Sequence, residues 1–190
     1  MKNTDSKLYK LVFAGVMAAI VYVVTLFRFP LLGSKVHFAN AMCLVSGMLL
    51  GPVWGGFAAG IGSALFDAFS GGYGFIEVMI TFVSKFAMAW VCATVLKAAA
   101  KGSHRLDITL LSAVAGALTY VALYMLKTYI YNRFVYGYPL DAVGVTMMSK
   151  LIPSLINAGA AIVAAPIFFH ALLPALKAGG ILKHLQDGEH

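Results

Sequence analysis

Long runs of apolar residues, separated by short polar segments, occupy almost the whole chain. A backbone in hydrocarbon must satisfy its own hydrogen bonds, so runs of about 20 apolar residues predict membrane-spanning helices. The pattern predicts six spans, at about residues 8–27, 39–50, 53–69, 76–98, 108–133 and 141–173. We therefore predict an all-α membrane protein with six transmembrane helices, folded as a single domain over residues 1–190.

The second and third spans meet at Gly51-Pro52 without a polar linker, and they could instead form one kinked span. Five crossings would then leave the termini on opposite sides of the membrane. The distribution of positive charge favours six crossings, because only Arg28, Lys35 and Arg133 then lie in outer loops. Both termini are predicted to be cytoplasmic, together with the remaining loop and tail cations, Lys2, Lys7, Lys10, Lys97, Lys101, Arg105, Lys177 and Lys183.

Composition supports a multi-pass membrane protein. Hydrophobic residues make up 61% of the chain and charged residues 11%, against about 25% charged residues in soluble domains. The net charge of +7 is dispersed, which argues against a nucleic-acid interface. Cys43 and Cys92 lie in apolar runs without metal-ligand or redox spacing. We predict no catalytic residue, no metal and no cofactor.

Four ionisable residues interrupt the predicted spans: Asp67, Lys85, Lys127 and Lys150. Charges inside a membrane are costly and usually functional. In the six-span topology all four lie in the outer half of the membrane, so we expect one cavity that opens outward. For Asp67 the alternative is a structural ion pair with Lys85 or Lys127, and for the lysines it is snorkelling to headgroups.

Polar residues recur at helical spacing on the same spans, so each helix has one polar face. Tyrosines beside lysines suit a small planar ligand with hydrogen-bonding groups. Asn40 is counted among the predicted ligand-binding residues, although it could simply cap the second span. The predicted ligand-binding residues are Lys35, Asn40, Asp67, Glu77, Thr81, Lys85, Tyr120, Tyr124, Lys127, Lys150 and Asn157. We expect His37 to be an interface residue.

The order of motifs in the first third of the chain resembles the substrate-binding S component of energy-coupling factor (ECF) vitamin transporters. In that family a basic first loop precedes a short helix, a GP-x-x-G(G) turn and a glycine-rich helix that ends in Asp. The matching residues are Lys35, Gly51, Pro52, Gly55, Gly56, Gly60, Gly62 and Asp67.

Small residues on the first span form two strips with spacing of four, Ala14 with Ala18 and Gly15 with Ala19. Such strips let another helix approach closely. The ECF resemblance implies that they dock onto the membrane-embedded coupling (T) subunit, whereas internal packing is the alternative.

The resemblance implies a subunit of the bacterial plasma membrane that captures a water-soluble vitamin outside the cell. It also implies a T subunit and two cytoplasmic ATPase subunits as partners, and toppling of the loaded subunit. The chain lacks a Walker A motif, so it cannot supply its own phosphate-loop ATPase. We predict a transporter subunit that is not an enzyme, with ATP hydrolysed by partner subunits.

Three predicted pocket lysines favour an anionic or neutral ligand, pantothenate-, pyridoxine- or pyrimidine-like, over a cation such as thiamine. Riboflavin and cobalamin are not excluded. A self-sufficient small permease or a membrane scaffold is the main rival, and an intramembrane enzyme based on Ser63 is a weaker one.

Overall fold

Helices form nearly all of the protein in the computed structural model, which describes residues 2–31, 34–100, 105–181 and 185. The helices of this described part are α1 (Lys2–Leu26), α2 (Ala39–Phe66), α3 (Phe75–Ala100), α4 (Leu106–Ile130) and α5 (Leu140–Ala178). A two-stranded antiparallel hairpin, β1 (Arg28–Leu31) and β2 (Ser34–His37), joins α1 to α2. Single π-helical turns, Asp67–Gly71 and Tyr131–Val135, extend α2 and α4.

Five segments of the described chain are long and apolar enough to cross a membrane: Ser6–Leu26, Ala39–Gly71, Phe75–Ala100, Leu106–Val135 and Leu140–Ala178. Large apolar side chains are exposed on all five helices; Val145, for example, is 73% exposed. Such a surface suits lipid, because soluble monomers rarely expose extended apolar patches. The prediction of an all-α, multi-pass membrane protein is confirmed.

The helix α2 doubles back on itself at Gly51. That residue has φ 78° and ψ −177°, a backbone conformation that is essentially restricted to glycine. The Ser46 hydroxyl donates a hydrogen bond to the Gly55 carbonyl oxygen at 3.0 Å, and Cys43 Sγ lies 3.7 Å from Ser63 Oγ. Twenty residues of straight helix would separate their ends by about 30 Å. The arm of residues 39–50 therefore lies antiparallel to the arm of residues 52–66.

This doubling back divides α2 into two helical arms. Two helices were predicted, at residues 39–50 and 53–69, and the structure joins them at the single non-helical residue Gly51. No loop is needed, because Gly51 supplies the reversal and Pro52 has the fixed φ suited to a first helical position. The break lies where the Gly51-Pro52 motif predicted it.

The two strips of small residues on α1 have different environments. Ala14 and Ala18 are each only 7% exposed and belong to the core, whereas Gly15 and Ala19 are exposed. A Cβ atom at Gly62 would overlap the Ala18 carbonyl oxygen, so α1 and the second arm of α2 touch through their backbones. Ala14 and Ala18 therefore pack inside this chain, which is the alternative that the sequence left open, and their docking onto a T subunit stays a prediction.

The hairpin replaces the irregular first loop that the sequence predicted. Its register pairs Arg28 with His37. Phe29 precedes Pro30, and a residue before proline is biased towards extended backbone, which favours a strand directly after α1. The hairpin lies at the end of the bundle where α1 ends and α3 begins.

Replacement of Gly51 by alanine should lower the free energy of unfolding by about 1–3 kcal/mol, because an L side chain is strained at this φ and ψ. Gly144→Ala on α5 is the matched control, since no atom lies within 4 Å of the added Cβ there. Unfolding of both variants in detergent measures the difference. Equal stability of the two variants would contradict a reversal that depends on glycine.

Candidate functional site

A cavity of about 610 Å³ lies beneath the hairpin, and all five helices contribute to its lining. Ten of the eleven predicted ligand-binding residues line it: Asn40, Asp67, Glu77, Thr81, Lys85, Tyr120, Tyr124, Lys127, Lys150 and Asn157. The eleventh, Lys35, belongs to β2, and its side chain lies outside the described residues. The structure thus brings the predicted polar faces together, and their contact with a ligand stays a prediction.

Convergence on one cavity depends on the folded-back α2. Asn40 is the second residue of this helix and Asp67 follows its end, so a straight helix would separate them by about 40 Å. Both line the cavity, because the reversal at Gly51 returns the chain to the same end of the bundle. The other lining residues come from the end of α4 and the beginnings of α3 and α5.

Lys85 is the most deeply buried charged residue of the cavity lining, at 4% exposure. Its ammonium group donates to Asn40 Oδ1 and lies 3.5 Å from the centroid of the Tyr120 ring. No carboxylate of the described residues lies within 4.0 Å of it. The amide oxygen and the aromatic face therefore stabilise the charge, and Lys85 does not snorkel to the membrane surface.

Asp67 is half-buried at the junction between α2 and the π-helical turn. It forms no ion pair within 4.0 Å with any lysine of the described chain, although Lys85, Lys127 and Arg28 all contribute to the potential at its carboxylate. Thr81 lies next to it. The structural ion pair considered as an alternative is absent from this arrangement, which leaves the carboxylate beside the cavity.

Glu77 and Lys127 each have a structural partner besides the cavity. Glu77 Oε2 accepts a hydrogen bond from the Gly74 main-chain N–H at 3.1 Å and so stabilises the beginning of α3. The Lys127 ammonium group lies 5.5 Å from the centroid of the Tyr131 ring. These contacts fix the two side chains at the rim without removing their charges from the cavity.

One wall of the cavity is aromatic. The rings of Tyr120 and Tyr124, one turn apart on α4, stack with centroids 6.0 Å apart and an angle of 19° between their planes. Further along, Tyr131 and Tyr136 meet edge to face at 6.2 Å, and both line the cavity. Flat aromatic surfaces favour a planar ligand, which can stack on them.

The hairpin is held over the cavity from two sides. The Arg28 guanidinium group lies 4.8 Å from the centroid of the Phe66 ring at the end of α2. On the other side, the main-chain N–H of His37 donates a 2.9 Å hydrogen bond to Asn157 Oδ1 on α5. Asn157 therefore positions the hairpin in addition to lining the cavity.

Sequence reasoning missed His37, which was expected at an interface but lines the cavity, as Arg28 does. Burial, with the nearby charges of Lys85 and Arg28, lowers the pKa of His37 to about 3, so its imidazole is neutral at physiological pH. No pattern in the sequence could have placed it there, because its position depends on the hairpin. Ser154 lies on the same face of α5 as Lys150 and Asn157, and it also lines the cavity.

The described residues contain no group of three or more His, Cys, Asp or Glu side chains placed to hold a metal ion. Cys43 and Cys92 are free thiols buried in the core. The cavity therefore presents hydroxyl, amide, ammonium and carboxylate groups together with aromatic rings. That donor set is suited to reversible binding of a polar, partly aromatic molecule.

Comparison with known proteins bears on both the family and the fold. The sequence profile of a family described as ECF-type riboflavin transporter, S component, matches residues 5–173. A solved structure of the S component of a bacterial ECF transporter shares the fold with a TM-score of 0.66 at 16% sequence identity, covering 90% of this chain and 99% of that chain. No match was found among curated proteins.

Replacement of Asn40 by leucine should lower the free energy of unfolding by about 1.5–3 kcal/mol, because the buried Lys85 ammonium group loses its hydrogen-bond acceptor. Adding Lys85→Met to this variant should restore part of the loss, since no buried charge then remains. Unfolding of the two single variants and the double variant completes the cycle. Strictly additive losses would show that the two side chains do not stabilise each other.

Proposed function

The chain belongs to the ECF-type riboflavin transporter S component family, and on that basis we propose that it captures riboflavin, or a flat neutral molecule closely similar to it, at the outer face of a bacterial plasma membrane. The observation that carries this proposal is the 610 Å³ cavity with its stacked Tyr120–Tyr124 wall and buried Lys85. Small-molecule sites commonly enclose about 300–1,000 Å³. The cavity is therefore large enough for a tricyclic ring and its side chain.

Charge supports a neutral ligand over a cation. The lining includes four cationic side chains, Arg28, Lys85, Lys127 and Lys150, against two carboxylates, Asp67 and Glu77. His37 adds no charge, because its pKa is lowered to about 3. The resulting positive field disfavours a cation and tolerates a neutral or anionic ligand. The smaller ligands that the sequence favoured, such as pyridoxine, are also compatible with the positive field. They would contact a smaller part of the aromatic wall.

We further propose six crossings with both termini in the cytoplasm. The antiparallel arms of α2 would each contribute one crossing, and the cations of the tails and of the α3–α4 connection would then lie inside. In this orientation the hairpin and the cavity face the outside. The first arm has about 12 residues, so it would cross only together with the hairpin beside it.

Each cavity group has a distinct role in this proposal. Tyr120 and Tyr124 stack on the flat ring, Lys85 donates a hydrogen bond to a ring carbonyl or nitrogen, and Asp67 and Thr81 bind N–H or O–H groups at the rim. The hairpin excludes water by bridging α2 and α5. Because the chain has no Walker A motif, two partner ATPases would hydrolyse ATP and a T subunit would couple that hydrolysis to toppling.

For T-subunit docking we propose the strip that includes Gly15 and Ala19. These two residues are exposed on α1. Ala19 belongs to a shallow apolar groove of about 320 Å³, lined also by Val16, Ile20, Val23 and Val24. A groove of this kind admits a partner helix at short distance.

Lys85→Ala and Asp67→Ala should each weaken riboflavin binding at least about tenfold, which corresponds to about 1.4 kcal/mol. Thr94→Ala is the control, because the exposed Thr94 hydroxyl bonds to the Trp90 carbonyl oxygen away from the cavity. Equilibrium dialysis of the purified chain measures affinity, and melting temperature verifies folding. Unchanged affinity in both cavity variants would contradict the assignment of the pocket.

Ala19→Trp should abolish riboflavin uptake by the transporter reconstituted with its T and ATPase subunits, while binding to the isolated chain persists. An exposed Trp blocks approach of a partner helix without disturbing the core. Ala18→Trp should instead impair folding, because Ala18 touches Gly62. Full uptake by the Ala19 variant would place the docking surface elsewhere.

Uptake by this chain alone would favour a self-sufficient permease.

A further inference from the structure

The most exposed large apolar side chains of the described chain lie at the end of the bundle that carries the cavity. Four of them are phenylalanines that are each 69–78% exposed, and we call them the apolar rim: Phe27, Phe69, Phe75 and Phe134. Each lies in a connection between two long helices or is the first residue of the next helix. Exposed apolar residues that cluster in this way mark a contact surface.

The segments around the cavity have one polar side and one apolar side. Alternate residues of a strand point to opposite faces. Arg28 and Pro30 of β1 line the cavity, so Phe29 between them points away from it and is exposed. The same division recurs after α2, where Asp67 lines the cavity and Phe69 is exposed. The cavity is therefore bordered by apolar side chains that face away from it.

The connections at the two ends of the bundle differ in charge. The connection from α3 to α4, at the opposite end, contains Lys101 and Arg105. At the cavity end, residues 68–76 contain Phe69 and Phe75 but no charged residue. Apolar surface left in water costs about 25 cal/mol per Å². Water is therefore a poor environment for the rim, although it suits the opposite connection.

Helix lengths place the rim at one boundary of the hydrocarbon. Lys97 and Lys7 mark the other boundary, because lysines near helix ends extend to the headgroups. At about 1.5 Å per residue, Phe75 is about 33 Å from Lys97 and Phe27 about 30 Å from Lys7. The hydrocarbon core is about 30 Å thick. Lys85 then lies about 15 Å below the rim, close to the midplane.

Lipid is the occupant that fits the rim. The rim residues belong to three separate connections, α1 to β1, α2 to α3 and α4 to α5, and acyl chains can cover all three at once. The rim also continues into the exposed apolar surface of the helices through Ile76 and Leu140. Phenylalanine lacks the polar group that keeps tyrosine and tryptophan at headgroup level, so it favours the acyl chains beneath.

We propose that the apolar rim inserts among the acyl chains at the edge of the leaflet on the cavity side. The rim thereby holds the hairpin end of the bundle at a fixed depth, and the cavity opens within the headgroup layer instead of above the membrane. A molecule that enters the cavity must first cross that layer. The rim makes this contact whatever molecule the cavity binds.

Tryptophan reporters in the full chain, reconstituted in lipid nanodiscs, test the contact. Phe75→Trp and Phe134→Trp are each made in a Trp54→Phe, Trp90→Phe background, which removes both native tryptophans. Lipid brominated near the headgroup end of its acyl chains should quench each reporter at least about twofold more than lipid brominated near the chain terminus, because the rim lies about 15 Å from the midplane. Aqueous iodide should quench neither reporter appreciably.

Two controls calibrate the depth scale. Trp90, retained alone by Trp54→Phe, lies about 22 Å from Phe75 along α3 and should respond at least as strongly to the terminal bromine. Leu106→Trp, in the background without native tryptophans, places a reporter between Arg105 and Asp107 and should be quenched by iodide. The melting temperature of each variant verifies that it folds.

Three results would overturn the proposal. Quenching of both rim reporters mainly by iodide would place the connections in water. Quenching by neither iodide nor brominated lipid would show that protein, such as a second copy of this chain, covers the rim. Stronger quenching by terminal bromine would place the rim deep in the hydrocarbon. None of these measurements involves a ligand, so failure of the rim would leave the proposed function standing.

Discussion

The reversal of α2 at Gly51 is the constraint on which the rest of the structure depends. Inside hydrocarbon a chain can turn only where its polar backbone groups stay satisfied or become buried in protein. Glycine permits the required φ and ψ, and Pro52 starts the second arm without a main-chain N–H to satisfy. The Ser46 hydroxyl then bonds across to the Gly55 carbonyl oxygen. This compact turn returns the chain to the hairpin end, where the cavity forms.

The cavity combines a buried charge with incomplete polar pairing. Lys85 is stabilised by one amide oxygen and one aromatic face, without a carboxylate in direct contact among the described residues. Ser154 and His37 each bury a polar atom that has no partner. Bound ligand can contribute to stability at each of these points, so affinity would come from groups that the folded protein leaves incompletely satisfied. The stacked tyrosines would add a large apolar contact for a planar ligand.

Much of this arrangement follows from sequence patterns, because helical periodicity places polar residues such as Lys127 and Lys150 on definite faces. The expectations that the structure did not support concern single residues whose contacts depend on tertiary packing. Ala14 and Gly15 are adjacent, so their two strips differ by about 100° around α1, and only the packed bundle decides which strip is covered. His37 reaches the cavity because the first loop forms a hairpin, and short strands carry too little periodicity to predict their contacts.

The central claim, that the folded chain binds riboflavin in this cavity, is tested most directly by the melting temperature of the purified chain in detergent, measured with a panel of water-soluble vitamins. A ligand present at about 100 times its Kd stabilises the folded state by about 2.7 kcal/mol, which corresponds to a rise of about 5–10 °C for a chain of this size. The account predicts such a rise with riboflavin and little change with thiamine. No rise with riboflavin, or a larger rise with a cationic vitamin, would contradict it.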